Sequence, residues 1–236
     1  MVRDKRILFF TKYTRMGANS RYRTFQFLPL LDRSGIRYSV KPLFGNDYLK
    51  SIYSQKRHDP VMVMKYYLRR IFTLLTAKYY DRIIIEGELL PYFPPIFEDM
   101  LYQLNIPYIL DFDDGIFIHY KDRNFPFSIM KNKIERITSK AEKIICGNQE
   151  LEEYLKRYNK NTIVIPSVID LARYPVKPSS NNDNFVIGWI GTPYTQHYLS
   201  ILRKPLETLS KKFPLKLLII GGDDKIKKIL RGTKIL

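Results

Sequence analysis

The chain has 236 residues, enough for one large domain or two small ones, and its 45% hydrophobic and 27% charged residues suit a globular protein with a real core. With 40 Lys and Arg against 23 Asp and Glu, the net charge of +17 favours anionic partners: nucleic acid, anionic lipid headgroups or phosphorylated small molecules. The single cysteine, Cys146, excludes an intrachain disulfide and fits a reducing cytoplasm, no Cys/His cluster has zinc spacing, and no uncharged run reaches the length of a membrane span.

The basic start, Met1 to Arg6, is followed by only Ile7-Leu-Phe-Phe10, too short for the apolar region of a signal peptide. Arg6 to Thr11 reads as a first buried strand. Gly17-Ala-Asn-Ser-Arg21 follows, then a helix-capable run from Tyr22 to Leu31. Such a turn either starts a helix near Ser20 or sets backbone N–H groups against an anion, with Arg21 and Arg23 facing a phosphate or water. One glycine is not the three-glycine dinucleotide fingerprint.

Ile36 to Val40 alternates as a second strand. Val61 to Tyr80 has a helical pattern, with Met64, Leu68, Ile71 and Leu75 on one face and Lys65, Arg69 and Thr76 on another. It is either a sheet-covering helix with a solvated basic side, or a helix at an anionic membrane surface with Tyr66, Tyr67, Tyr79 and Tyr80 near the headgroups.

Further strands are read at Arg82–Glu86, Pro107–Asp111, Lys143–Cys146 and Thr162–Ile165. Helices are read at Ile96–Leu104, Phe127–Lys140 and Gln149–Tyr158. Alternating strands and helices predict an α/β, Rossmann-like, doubly wound parallel sheet over residues 1–175. A polar, breaker-rich linker at 176–184 precedes a second βαβ unit: strand Phe185–Ile190, helix Thr195–Lys211 and strand Leu215–Ile220.

In open parallel sheets ligands bind beyond the carboxyl ends of the strands, which singles out Gly17–Arg21, Glu86–Glu88, Asp111–Asp114, Gly147-Asn148 and Gly191-Thr192. Asp111, Asp113 and Asp114 repel one another unless Mg²⁺, Arg/Lys or backbone N–H groups lie nearby. They fit a D-x-D metal site, an acceptor site in which a carboxylate takes a sugar hydroxyl's hydrogen bond, or a capped turn. The second βα unit argues against the metal reading. His119 lies five residues past Asp114 as a general acid/base or a surface residue, His58 has no context, and His197 follows Gly191-Thr-Pro.

Gly17-Ala-Asn-Ser-Arg-Tyr-Arg23, Asp111-Phe-Asp-Asp-Gly115, Ile165-Pro-Ser-Val-Ile-Asp170 and Ile187-Gly-Trp-Ile-Gly-Thr-Pro193, in this order, resemble the two-Rossmann-domain (GT-B) retaining glycosyltransferases. The resemblance implies an N-terminal acceptor domain and a C-terminal nucleotide-sugar domain, with no metal or cofactor beyond the donor substrate. It implies transfer of a hexose from a UDP- or GDP-sugar to a polysaccharide or lipid-linked acceptor. Gly17, Ser20 and Arg21 would meet the donor phosphates, Asp111, Asp113 and Asp114 the acceptor, and Gly191 and Thr192 would begin the donor pocket.

The sequence departs from the family where Thr192 and Gln196-His197 replace the usual Arg and Lys. The family's Glu-x₇-Glu segment would fall past Leu236, so the resemblance implies a donor domain cut short at 185–236 and an impaired or inactive chain. A different class, a non-catalytic module binding sugar, lipid or a partner chain, fits the same cleft. Nucleic acid is set aside because the basic residues are dispersed and carry no binding-fold signature. The expected location is cytoplasmic, with peripheral contact at the inner face of the membrane.

Overall fold

The computed structural model describes residues 5–54, 59–121, 130–174 and 185–231. The chain divides into two compact units, Met1–Leu49 with His58–Leu171, and Lys50–Arg57 with Ala172–Leu236. The linker expected at 176–184, the N-terminal residues 1–4, His58, and the first part of the helix read from Phe127 lie outside the described residues.

In the first unit the strands are β1 (Arg6–Phe10), β2 (Arg37–Val40), β3 (Arg82–Glu86), β4 (Tyr108–Phe112), β5 (Lys143–Cys146) and β6 (Thr162–Val164). They form one parallel sheet in the order β2-β1-β3-β4-β5-β6. Its centre reads as apolar runs because helices cover both faces: Leu8, Ile83, Ile85, Leu110 and Ile144 are all fully buried. The helices up to β6 are α1 (Ala18–Ser20), α2 (Leu28–Arg33), α3 (Asn46–Tyr53, which the division between units cuts after Leu49), α4 (Pro60–Leu74), α5 (Ile96–Gln103), α6 (Ile118–Lys121), α7 (Lys133–Lys140) and α8 (Gln149–Leu155).

The order reverses at β1. The connection after β1 leads outward to β2, and the chain returns to β3 on the other side, so the crevice beyond the ends of β1 and β3 is the topological switch point.

Two local readings change. The helix read at Tyr22–Leu31 is interrupted: a π-helical turn at Arg21–Phe25 separates α1 from α2. Such turns insert a residue into the helical ladder and recur at functional sites.

The second change concerns α4, which Asp59 caps through Val61 N–H. Its buried side consists of Arg70 and Leu74, with Val63, Tyr66, Tyr67 and Ile71 packed on the core. Met64, Leu68 and Leu75, which the sheet-covering reading set on the sheet with Ile71, are exposed instead. Tyr66, Tyr67 and Tyr80, which the membrane reading set near headgroups with Tyr79, pack on the core, and of these four Tyr79 alone is exposed. Helical periodicity marks an apolar stripe but does not say which of two stripes the sheet takes, and here the polar-tipped one has partners inside.

The second unit contains β7 (Phe185–Ile190) and β8 (Leu215–Ile220), parallel and in register, joined through a 3-10 turn at Gln196–Tyr198 and α9 (Leu199–Ser210), with α10 (Lys225–Ile229) after β8. Leu199, Leu206, Leu217, Ile226 and Leu230 form its own small core.

Candidate functional site

Glu86 is the last residue of β3 and Asp111 its register partner on β4, so both carboxylates leave the sheet side by side at the switch-point end. The loop after β1 closes over the first. Ser20 Oγ donates to Glu86 Oε2 at 2.7 Å and Lys12 N–H donates to the same oxygen at 3.1 Å. Ser20 in turn accepts from Tyr13 N–H at 3.0 Å. Gly17 permits this turn by close approach: a Cβ there would lie 2.5 Å from Tyr13 Cβ. Glu86 is 7% exposed, and its other oxygen, Oε1, is buried without a partner. Burial pushes this carboxyl up to about 7, Asp111 adds to the rise, and the Ser20 and Lys12 hydrogen bonds oppose it.

Asp111 is committed elsewhere. Arg23, delivered by the π-helical turn, donates from Nε to Asp111 Oδ2 at 3.1 Å and from Nη2 to Oδ1, and its Nη1 reaches the Ile165 carbonyl. The two side chains are only 4% and 8% exposed. Burial raises the Asp111 carboxyl and the adjacent guanidinium opposes that; the two-pronged geometry keeps the pair charged.

Asp113 Oδ1 accepts from Ser167 Oγ at 2.7 Å, and Asp114 is exposed. Arg21 lies over the Tyr22 ring, 4.9 Å from its centroid. Glu88, one residue past the positive-φ Gly87, accepts from the Tyr120 hydroxyl and from Lys133 Nζ, and the buried Lys133 also donates to the Leu90 carbonyl at 2.7 Å.

A small cavity of about 50 Å³ is lined by Asn19, Glu86, Glu88, Asp111, Asp113 and Asp114 together with Lys12. Lys12, Glu88, Pro91, Asp114 and Ile116 also line a wider cleft of about 350 Å³ that holds His119 at its exposed side. Asn19 Oδ1 is a second buried oxygen without a partner. Such a lining accepts hydroxyl and N–H groups, and its carboxylates disfavour bare phosphate. Among the described residues no group of three His, Cys, Asp or Glu is placed to hold a metal ion.

Thus Asp111, Asp113 and Asp114 line one cavity, with His119 in the adjoining cleft, while the fully buried Ser20 lies behind the lining and reaches it only through Glu86. Arg21 is not among the cavity's lining residues. Glu86, Arg23, Glu88 and Lys133 carry the site's electrostatics. The visible signal for Glu86 was an apolar strand ending in Glu-Gly; nothing in the spacing pairs residue 23 with 111. Cys146 is buried, with its thiol toward the Ile163 carbonyl and pushed up to about 11, as an inert core group should be.

In the second unit, Gly191 N–H pairs with the Ile220 carbonyl at 3.0 Å, and Thr192 N–H donates to Thr195 Oγ1 at 3.0 Å. Buried Gln196 clamps the two loops: it donates to Asp223 Oδ1 at 2.7 Å and accepts from Asp223 N–H at 3.0 Å.

Neither a family model nor a curated protein sequence matches the chain. Solved structures do. S. aureus MnaA in complex with UDP superposes with a TM-score of 0.59 at 13% identity, over 98% of this chain and 66% of that one. UDP-GlcNAc 2-epimerase from Neisseria meningitidis, bound to UDP-GlcNAc, gives 0.54 at 10% identity, over 97% and 69%. An alpha-glucosyltransferase in complex with UDP and a 13-mer DNA gives 0.52 at 13% identity, over 90% and 57%. The chain has a GT-B-like fold. At these identities the likeness extends to the fold, and the chain spans 66% of the length of MnaA. In this GT-B-like chain, the carboxylate cavity sits at the switch point of the first unit, where open parallel sheets bind their ligands.

Proposed function

We propose that the chain belongs to a nucleotide-sugar enzyme that transfers a hexose from a UDP- or GDP-sugar to a hydroxyl of a glycan or lipid-linked acceptor, and that the first unit holds the acceptor. The observation that carries this reading is Glu86: a buried carboxylate with one oxygen fixed by Ser20 and Lys12 and the other unpartnered, held near neutrality. A group so poised takes a proton from an incoming hydroxyl, or returns one, at physiological pH. Asp113 and Asp114 accept the acceptor's other hydroxyls, with His119 in the adjoining cleft. The UDP and UDP-GlcNAc held by the fold neighbours support a nucleotide sugar as donor, assigned here to the Gly191–Thr192 loop. No metal and no further cofactor take part in this reading.

The Neisseria neighbour's activity favours a second reading, epimerisation of the nucleotide sugar itself, which also needs an acid/base pair. Incubation with a panel of nucleotide sugars separates the two. Transfer releases the nucleoside diphosphate and gives a glycosylated acceptor, whereas epimerisation gives an isomeric nucleotide sugar. A chain that does neither, yet binds oligosaccharide in a manner abolished by Glu86→Gln, would be the non-catalytic module instead.

A further inference from the structure

The outward face of α4 has no counterpart in the sugar chemistry. Val61, Met64, Leu68, Phe72 and Leu75 are 60%, 59%, 46%, 67% and 66% exposed. At 3.6 residues per turn they fall within an arc of about 80°, and Lys65 and Arg69 flank one side of it. Beyond the helix, Tyr79 continues the exposed apolar surface beneath Lys78. A shallow groove of about 640 Å³ runs beside the stripe, walled by Leu68 and Phe72 on the apolar side and by Lys41 and Lys65 on the cationic side. Lys41 and Lys65 make no ion pair among the described residues. Arg69 is held back by the carbonyls of Pro42 and Leu43 at 3.0 Å each, which fixes the groove's floor.

A run of large apolar side chains on one helix face, bordered by lysines, is expensive to leave in water. We propose that this face is a docking surface for an anionic phospholipid membrane. The apolar stripe enters the boundary between headgroups and acyl chains, and Lys41 and Lys65 meet the lipid phosphates. Charge decides the occupant. The whole chain carries +17, and a second copy would bring the same cations against these. No helix of the described residues is long and apolar enough to cross a membrane, so the contact is peripheral.

The inner side of α4 ties this face to the carboxylate cleft. The Tyr67 hydroxyl donates to the carbonyl of Pro91, a cleft-lining residue, at 2.6 Å, and Arg70 donates to the Thr11 carbonyl at 2.6 Å. A docked α4 therefore holds the cleft at a fixed place relative to the bilayer. The inference stands on the helix face alone and is independent of which sugar reaction the cleft performs.

Vesicle co-sedimentation of the full chain tests it, using phosphatidylcholine with and without phosphatidylglycerol. The chain binds the anionic vesicles, and binding weakens with added salt. Leu68→Ser/Phe72→Ser and Lys41→Glu/Lys65→Glu each lower the affinity at least about tenfold, with circular dichroism unchanged because every altered side chain points outward. Equal binding to neutral and anionic vesicles, no binding to either, or pair variants that bind like the parent would overturn the proposal. So would a concentration-dependent dimer that Phe72→Ser dissolves, which would assign the stripe to self-association.

Discussion

Ser20 Oγ and Glu86 Oε2 are joined by a 2.7 Å hydrogen bond that spans the switch point between β1 and β3. It fixes one oxygen of the carboxylate while the other is buried without a partner, in a residue that lines the cavity. This one contact gives a strand-end glutamate the fixed orientation that the proposed acid/base role requires.

Replacing Glu86 by Gln tests both halves of that statement. The folded carboxyl titrates at about 7 against an ordinary 4.5, so the native state holds more protons than the unfolded one between those values. Stability is therefore fully favoured below 4.5 and declines as pH rises through 7. Glu86→Gln should be more stable than the parent at pH 8, by on the order of 3 kcal/mol, with the difference vanishing in acid. Urea denaturation across pH reads it. Under the proposed reaction the same variant loses about 10²- to 10⁴-fold in kcat, and the parent's rate rises through pH 7.

Arg23→Ala should cost about 3–5 kcal/mol, because it strands the Asp111 carboxylate in the interior. Arg23→Leu with Asp111→Leu should recover most of that loss, because removing both charges removes the uncompensated one. Paired denaturation curves decide it, and a double variant as unstable as the single one would mean that packing, not charge, holds this corner.

Lys133→Met leaves Glu88 with the Tyr120 hydroxyl but without its buried cation. The expected cost is about 3 kcal/mol, and Glu88→Gln in the same background should restore part of it. The thermal midpoint is the simplest readout.

Gly221→Ala addresses the second unit alone. Its φ of +86° suits glycine, and a Cβ would sit 2.2 Å from the Gly191 carbonyl oxygen, backbone that cannot rotate away. A loss of about 1–3 kcal/mol is expected in the unfolding of β7 and β8, followed through Trp189 fluorescence, with little change in the first unit's hydrogen exchange.

Apolar runs, one alternating segment and glycine punctuation were enough to place β1 through β8. The central strands β1, β3, β4 and β5 are short apolar runs because both sheet faces are covered, whereas the edge strand β2 shows in its alternation. The same local logic found the carboxyl end of the sheet and its aspartates. It missed α3, where Tyr48, Leu49, Ile52 and Tyr53 recur at helical spacing over only eight residues, and the π-helical turn, which depends on where Arg23 must reach. Nor could it rank the carboxylates. Asp111 was read together with Asp113 and Asp114 and is paired with an arginine 88 positions away, whereas Glu86 keeps one oxygen without a partner because the β1 loop bonds only the other. The orientation of α4 was equally out of reach. Two apolar stripes were available, and the buried one was chosen by partners distant in the chain, Pro91 for Tyr67 and Thr11 for Arg70. Sequence determines what each segment is able to bury; which charges are paired and which face is left in water are set by contacts between segments, which exist only once the chain has closed on itself.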